Sequence, residues 1–301
     1  MIEFSEKYFE GEERDGFFVE EMMKRAWAAQ MKVLDEIGRV CKKYNLTYFA
    51  DCGTLLGAVR HHGFVPWDDD MDICMKPRDY RRFLEVAPAE LPGSFKVLSL
   101  YTHNEYDEIF ARVVNSSKIN ASQEWLQEWY GCPFACGVDI FPLNYMPEDK
   151  EELQIQKNLY KIVRSAWASC EKKTEELEKV LKSVEELCGV TLDRAGDLKR
   201  QLAYLMESIR TMYDEEEKGE LTKLHTSLKK ERWHVPQEAY AKAVPMCFEG
   251  MEISVPVGWE LVLKAQYGED YMTPVRGGQK HDYPFYKKQL KQVQEKRSNS
   301  Q

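Results

Sequence analysis

The stretch that decides the fold runs from residue 51 to residue 75 and reads DCGTLLGAVRHHGFVPWDDDMDICM. Its first part, at Gly53-Thr54, predicts a glycine turn that leads into a helix. The aspartate run at 68–70 ends that helical pattern, and residues 70–75 alternate polar with apolar side chains at period two. Because residues 48–50 read as the end of a preceding strand, the local order is strand, glycine turn, helix and strand.

Asp70 and Asp72 lie two residues apart in the second predicted strand, so their side chains are expected on one face of a sheet. Two carboxylates held this close repel each other, and they stay ionised mainly when a cation lies between them. Oxygen ligands select Mg²⁺ or Mn²⁺, which also bind substrate phosphates. Asp68 shares the face if the strand starts early, whereas Asp69 is expected to point away. The pattern predicts a metal and phosphate site.

Gly53 and Thr54 precede the predicted helix, where a phosphate is well placed because glycine allows close backbone approach and first-turn N–H groups are unpaired. Nucleotidyltransferase-type sites combine such a turn with an Asp-x-Asp strand and a third carboxylate from a neighbouring strand. The best candidate is Asp139, a lone acid within GVDIFPL at residues 137–143, where an unpaired buried charge would be costly. Each feature alone also fits a solvated aspartate loop or an ordinary helix cap.

The composition excludes several classes of protein. Of the 301 residues, 43% are apolar and 31% charged, and the net charge of −9 argues against a nucleic-acid partner held through its phosphates. The eight cysteines are too sparse for a disulfide scaffold, so they are expected to be reduced thiols. No signal-peptide pattern and no transmembrane segment are apparent, which predicts a cytoplasmic location. The sequence also lacks a Walker A loop, an EF-hand and a dinucleotide-binding glycine motif.

Hydrophobic periodicity outside residues 51–75 predicts an α+β fold, a mixed sheet flanked by helices with an all-helical insertion. Amphipathic spacing predicts a leading helix over 17–45, and the helices of the insertion either pack against the rest of the protein or grip a partner. The predicted parts are a catalytic core with the leading helix (1–150), the helical insertion (151–217), a C-terminal part of the catalytic lobe with a hairpin or edge strand near 248–255 (218–288), and a frayed polar tail (289–301).

Several basic side chains are candidates for substrate binding. Arg60 either reaches a phosphate or flanks the strand, and the guanidinium fork suits a phosphate. Arg112 lies between apolar residues, where it either pairs with Asp139 or the substrate or occupies an edge strand. Arg276 and His281 lie in a glycine-rich loop flanked by prolines and are candidates for substrate contact.

Three motifs occur in the order expected of a known family. They are GTLLGAVRHHGFVPWDDDMDI at 53–73 followed by Asp79-Tyr80 and Phe83, VDIFPL at 138–143, and YGEDYM at 267–272 with Arg276 and His281. Together they resemble the LicD family of phosphocholine transferases, which are related to the fukutins. One position departs from the family pattern, because Asn144 stands where many members have a second acid after Phe-Pro-Leu.

The resemblance implies a nucleotidyltransferase-like fold and a divalent metal, Mg²⁺ or Mn²⁺, with Asp70, Asp72 and Asp139 as ligands. It also implies transfer of phosphocholine from CDP-choline, or of a related group from another CDP-alcohol, to a sugar hydroxyl of a surface glycan or glycolipid precursor. A choline headgroup would need a cage of aromatic rings; the candidates are Trp67, Trp125, Trp129, Tyr130 and Tyr271. Two alternatives remain, a nucleotidyltransferase that attaches a nucleoside monophosphate and a non-catalytic scaffold with a dead site.

Overall fold

The computed structural model describes residues 3–106, 108–172, 174–224, 228, 233–276 and 283–298. The helices are α1 (Glu21–Tyr44), α2 (Cys52–Arg60), α3 (Pro77–Glu90), α4 (Gln123–Glu128), α5 (Lys150–Ser169), α6 (Glu175–Cys188), α7 (Leu198–Arg210), α8 (Trp259–Tyr267) and α9 (Tyr286–Ser298). The strands are β1 (Glu12–Arg14), β2 (Phe17–Val19), β3 (Tyr48–Ala50), β4 (Asp72–Met75), β5 (Lys96–Leu98), β6 (Ala111–Val114), β7 (Gly137–Pro142), β8 (Asn144–Tyr145), β9 (Leu221–Thr222), β10 (His234–Val235), β11 (Ala243–Phe248) and β12 (Met251–Pro256).

The main sheet has five strands in the order β3-β4-β7-β6-β5. Strands β4 and β7 pair in parallel, whereas the other neighbours in this sheet are antiparallel. Three smaller antiparallel sheets, β1-β2, β8-β9-β10 and β11-β12, accompany it. The predicted α+β architecture, a mixed sheet flanked by helices, is confirmed.

Helix α1 packs its apolar face into the main core because its large side chains recur at helical spacing. Trp27, Leu34 and Ile37 are fully buried, and the Trp27 ring stacks on Phe64 with 4.5 Å between ring centroids. The helix ends at Asn45, which adopts the left-handed conformation with a φ of 53° and donates its N–H to the last turn. Buried side chains of α1 also contact the loop at residues 68–71, which is called the aspartate loop below.

Two local boundaries differ from the sequence prediction. Helix α2 already begins at Cys52, so Gly53 and Thr54 lie within its first turn rather than before it. Strand β4 begins only at Asp72, so Asp70 belongs to the preceding loop and not to the strand. Sheet pairing sets the second boundary, because Asp72 is the first residue of β4 with a partner on β7.

Helices α5, α6 and α7 enclose a second hydrophobic core, separate from the core beneath the main sheet. Tyr160, Leu181 and Leu202, one from each helix, are fully buried in it. Helix α5 contacts both α6 and α7, so the apolar faces of this segment pack mainly against one another. Leu100 and Leu224 also join this core and tie the helical segment to the rest of the chain.

Asn144, the departure from the family pattern, connects β8 with the end of α7. Its amide Nδ2 donates to Asp214 Oδ2 at 2.9 Å, and its Oδ1 accepts from Arg210 Nη1 at 3.1 Å. The backbone N–H of Tyr145 donates to the other Asp214 oxygen at 3.1 Å. Asn144 and Asp214 are both buried, so this position serves a structural contact between the sheet and the helical segment.

Near residues 248–255 the sequence predicted either a hairpin or an edge strand, and the hairpin is confirmed. Strands β11 and β12 pair around a turn at Glu249-Gly250, where Gly250 has a φ of 82°. The tail predicted to fray from Gln289 instead starts inside α9. The Gln289 amide exchanges two hydrogen bonds with the backbone of Ala135, at 3.0 and 2.8 Å, which holds the first turns of α9 in place. Among the described residues, no helix combines the length and apolar character needed to cross a bilayer.

Candidate functional site

Strand register places Asp72 and Asp139 side by side. They are paired residues on the parallel neighbours β4 and β7, so their side chains emerge on the same face of the sheet. Arg112 on β6 is paired with Asp139 from the other side, and its guanidinium binds both oxygens of that carboxylate, with 2.7 Å between Nη2 and Oδ2. Because β6 is an inner strand, Arg112 is not an edge-strand arginine, and the predicted pairing with Asp139 is the correct alternative.

The aspartate loop adds a compact group of carboxylates next to this pair. One oxygen from each of Asp68, Asp69 and Asp70 lies within 4.8 Å of the others. The expectation that Asp69 points away is wrong, since its carboxylate belongs to this group and accepts the backbone N–H of Phe285. The reversal follows from the start of β4 at Asp72, because strand alternation does not apply to the loop before it.

Helix α1 fixes the backbone of the aspartate loop. The indole Nε1 of Trp27 donates to the carbonyl of Asp68 at 3.1 Å, and Nε2 of Gln30 donates to the carbonyl of Asp69 at 2.7 Å. Both donors are themselves buried, so these hydrogen bonds are sheltered from water. The loop is thereby held in a conformation that directs several carboxylates toward one another.

These carboxylates repel one another, so a positive charge between them would stabilise their ionised forms. Burial, and then repulsion from Asp70, raise the pKa of Asp68 and that of Asp72 well above the usual range for aspartate. Burial also raises the pKa of Asp139, although the guanidinium of Arg112 opposes this shift. A divalent cation would remove the repulsion that raises these pKa values, and an all-oxygen donor set is the one that Mg²⁺ and Mn²⁺ prefer. The residues present therefore fit such an ion.

The first turn of α2 is built into the same cluster. A Cβ on Gly53 would lie 1.9 Å from Oδ2 of Asp68, so a larger residue here would displace the Asp68 carboxylate that packs on the Gly53 backbone. The hydroxyl oxygen of Thr54, which is buried, accepts the backbone N–H of Asp72 at 2.8 Å. Gly53 and Thr54 thus position Asp68 and Asp72, while their contact with a substrate phosphate stays a prediction.

A buried polar network behind α2 was missed by the sequence reasoning. Asp51 caps α2 by accepting the N–H of Cys52, and its carboxylate also receives the ammonium of Lys223 and the amide of Gln266, the latter at 2.6 Å. The Lys223 ammonium lies 3.2 Å from the Cys52 sulfur and 4.1 Å from the ring centroid of Trp233. Burial opposes the charge on Lys223, but the carboxylate of Asp51 helps to raise its pKa above the ordinary value.

The position of Asp51 at a strand end, directly before a helix, is a sequence signal for a cap and could have identified it. Lys223 and Gln266 give no comparable signal, because they are separated from Asp51 by 172 and 215 positions in the chain.

The remaining basic candidates make other contacts. Arg60 donates from Nη1 to the carbonyls of Tyr271 and Thr273, at 2.9 and 3.3 Å, so it anchors the segment after α8. Arg276 donates to the carbonyl of Asp15 at 2.5 Å, and its guanidinium lies 5.5 Å from the ring centroid of Trp67. His281 lies outside the described residues. The structure does not join Arg60 or Arg276 to the carboxylates by any ion pair among the described residues, and their substrate contacts stay predictions.

Two of the five aromatic candidates pack against each other in the main core. Trp125 and Trp129 stack on each other with 5.2 Å between ring centroids, and both are buried in the main core. The Trp67 ring contacts that of Phe17, with 6.3 Å between centroids. The two core tryptophans are therefore structural.

A cavity of about 350 Å³ opens at the carboxylates. Its walls include residues from the aspartate loop, the sheet, α1 and α9: Gln30, Asp69, Asp70, Met71, Arg112, Val114, Ala135, Gly137, Asp139, Phe285, Lys288 and Gln289. The volume lies within the range of small-molecule binding sites. The cavity combines acidic and basic side chains with an apolar wall, so its lining suits a phosphorylated ligand next to the carboxylates of Asp70 and Asp139.

Comparison with known proteins agrees with these features. Residues 45–159 match the family model described as LicD/FKTN/FKRP, nucleotidyltransferase domain. The chain is 28% identical over 149 residues to the lipopolysaccharide cholinephosphotransferase LicD of Haemophilus influenzae, a match that covers 48% of this chain and about half, 52%, of that protein. Two uncharacterized proteins, from Rickettsia typhi and Rickettsia prowazekii, are 39% and 37% identical over 57 residues, which cover 19% of this chain and 18% and 21% of theirs.

Proposed function

Since the chain belongs to the LicD family through residues 45–159, we propose that it transfers phosphocholine, or a related phospho-alcohol, from a CDP-alcohol to a sugar hydroxyl of a surface glycan or glycolipid precursor. The observation that carries the proposal is the register of Asp72 with Asp139 beside the aspartate loop. Asp139 and Asp70 also line the cavity. The matched relative from H. influenzae, a cholinephosphotransferase acting on lipopolysaccharide by its name, supports the class of reaction.

We propose that Asp70, Asp72 and Asp139 hold Mg²⁺ or Mn²⁺. When bound, such an ion neutralises charge on the transferred phosphoryl group and on the leaving phosphate oxygens. Asp72 is held by sheet pairing and by the Thr54 hydroxyl at its backbone N–H, so the backbone that carries its carboxylate is fixed before any substrate arrives. The guanidinium of Arg112 donates to both oxygens of Asp139 and so fixes the orientation of this carboxylate.

In the proposed reaction, the acceptor oxygen forms a bond to the phosphorus of the phosphocholine group while the bond from that phosphorus to the CMP oxygen breaks. CMP leaves with the electron pair of the broken bond. The acceptor hydroxyl gives up its proton to Asp139, whose carboxylate lines the cavity in which the acceptor would lie. Arg112 keeps Asp139 ionised before the reaction, and a carboxylate must be ionised to accept a proton.

The test is to incubate the purified full chain with a panel of CDP-alcohols and Mg²⁺ or Mn²⁺, with isolated glycans as acceptors, and to measure CMP. We expect CMP release with one donor, and a loss of about 100-fold or more in Asp72→Asn. Asp35→Asn on the exposed side of α1 is the matched control and should keep the wild-type rate. Wild-type turnover by folded Asp72→Asn, or pyrophosphate release from a nucleoside triphosphate instead of CMP from any CDP-alcohol, would refute the proposal.

A further inference from the structure

The start of α9 is attached to the walls of the cavity at two points. The backbone N–H of Phe285 donates to the carboxylate of Asp69, and the Gln289 amide bonds to the backbone of Ala135. The ring of Tyr286 also stacks on Phe134, the residue before Ala135 in the chain, with 4.6 Å between centroids. The first turn of α9 is thus a fixed part of the candidate site.

Lys288 lies within this fixed turn and lines the cavity together with Asp70, Arg112 and Asp139. Its side chain is exposed, and within the described part of the chain its ammonium group has no hydrogen-bond or ion-pair partner. Arg112, by contrast, uses its guanidinium on both oxygens of Asp139. Of these two cavity cations, Lys288 is therefore the one whose charge is not already matched by a protein carboxylate.

A diphosphate bound in this cavity would lie next to Asp69, Asp70 and Asp139, which repel its negative charge. Cationic groups that contact the diphosphate from other directions would offset this repulsion. An ammonium group on a flexible stem suits this task, because it carries three rotatable donors and adapts to phosphate oxygens as a point charge. The Lys288 stem starts from a helix that is itself anchored, so ordering the side chain costs only its own rotamers.

We propose that Lys288 is a substrate-binding residue that contacts an anionic oxygen of the donor diphosphate, an inference that rests on the proposed use of a CDP-alcohol. The neighbouring Lys287 supplies a matched comparison. It is also exposed on α9, but its ammonium donates to the carbonyl of Tyr283 at 2.8 Å, and it does not line the cavity.

The experiment compares Lys288→Met with Lys287→Met in the full chain, both checked for an unchanged melting temperature. Calorimetry with Mg²⁺ measures the Kd of CDP-choline and of cytidine, and CMP release gives the KM of donor and acceptor. We expect Lys288→Met to raise the Kd and KM of the donor roughly tenfold or more, since a charge-assisted hydrogen bond is lost. Cytidine binding and the acceptor KM should stay as in wild type, and Lys288→Arg should restore most of the donor affinity.

A donor Kd of Lys288→Met within twofold of the Lys287→Met value would overturn the inference. So would an equal weakening of cytidine, which lacks phosphate, or a rise confined to the acceptor KM. If the wild-type chain binds other phosphorylated ligands but neither binds nor cleaves any CDP-alcohol, the proposed function itself is refuted, and the inference about Lys288 falls with it. That outcome is distinct from one in which wild type is active and Lys288→Met is unaffected.

Discussion

Replacing Lys223 by methionine tests the buried network behind α2. Methionine keeps most of the length of the side chain but removes the ammonium group, which is buried and bonded to the fully buried carboxylate of Asp51. Asp51 would keep only the amide of Gln266 and the N–H of Cys52 as donors. Removing one partner of a buried ion pair typically costs about 3–5 kcal/mol, because the other charge is left without compensation. We expect the free energy of unfolding to fall by about this amount.

The assay is urea unfolding at pH 7, followed by circular dichroism, on four chains that form a double-mutant cycle. The double variant Lys223→Met with Asp51→Asn should be more stable than Lys223→Met alone, because no buried charge remains unpaired. Lys264→Met is the control, since Lys264 forms its ion pairs with Glu260 and Glu269 on the exposed surface and should change the unfolding midpoint very little.

Loss of the ammonium should also reduce activity, because Asp51 caps the helix whose Thr54 hydroxyl holds the backbone of Asp72. A Lys223→Met chain within about 1 kcal/mol of wild type would refute the reasoning. A double variant that is less stable than either single variant would refute it as well, since the charge imbalance would then not be the cause of the loss.

The other predictions concern single side chains of the site and of the contact with the helical segment. Without metal, Asp72→Asn should unfold at the same or a higher urea concentration than wild type at pH 7. The substitution removes a carboxylate whose ionised form is destabilised by burial and by repulsion from its neighbours. A fall in the free energy of unfolding of more than about 1 kcal/mol would contradict this. Gly53→Ala should lower CMP release on the order of 100-fold by displacing Asp68, whereas Gly93→Ala, whose Cβ would meet no atom within 4 Å, should leave the rate unchanged. Burial raises the pKa of Asp214 from 3.8 to about 6 in the folded chain. Between about pH 4 and pH 6 the Asp214 carboxyl is therefore ionised in the unfolded chain but still protonated in the native state, so the free energy of unfolding falls as pH rises through this range. Asp214→Asn should therefore gain about 2 kcal/mol relative to wild type between pH 4 and pH 7 in urea titrations, and a constant difference across that range would exclude the shift.

Much of the fold could be predicted because its causes are local. The apolar stripe of α1, the alternation in β4 and the turn at Glu249-Gly250 each follow from a pattern within a few residues. The same holds for the acidic cluster, since the number and spacing of the aspartates already indicated it, while the Mg²⁺ or Mn²⁺ ion stays a prediction. Where a boundary depended on a partner strand, as at Asp72, the local pattern gave the wrong start for the strand.

Arg60 shows the limit of reasoning from residue type. Its spacing from Gly53 and its guanidinium both suit a phosphate, yet the group donates to the carbonyls of Tyr271 and Thr273. A guanidinium binds carbonyls as well as phosphates, so its partner depends on which segment folds against it. For Arg112 the sequence left two alternatives open, and the inner position of β6 decided between them.

The sequence by itself determined most of the elements and the acidic character of the site, because these follow from side-chain chemistry and short-range backbone geometry. Only the tertiary structure decided that Asp139 stands beside Asp72, that Lys223 neutralises Asp51 and that Lys288 faces the cavity. These pairings join residues far apart in the chain. They arise when parallel strands align and helices pack over them, and no local periodicity encodes the register or the distance of such contacts.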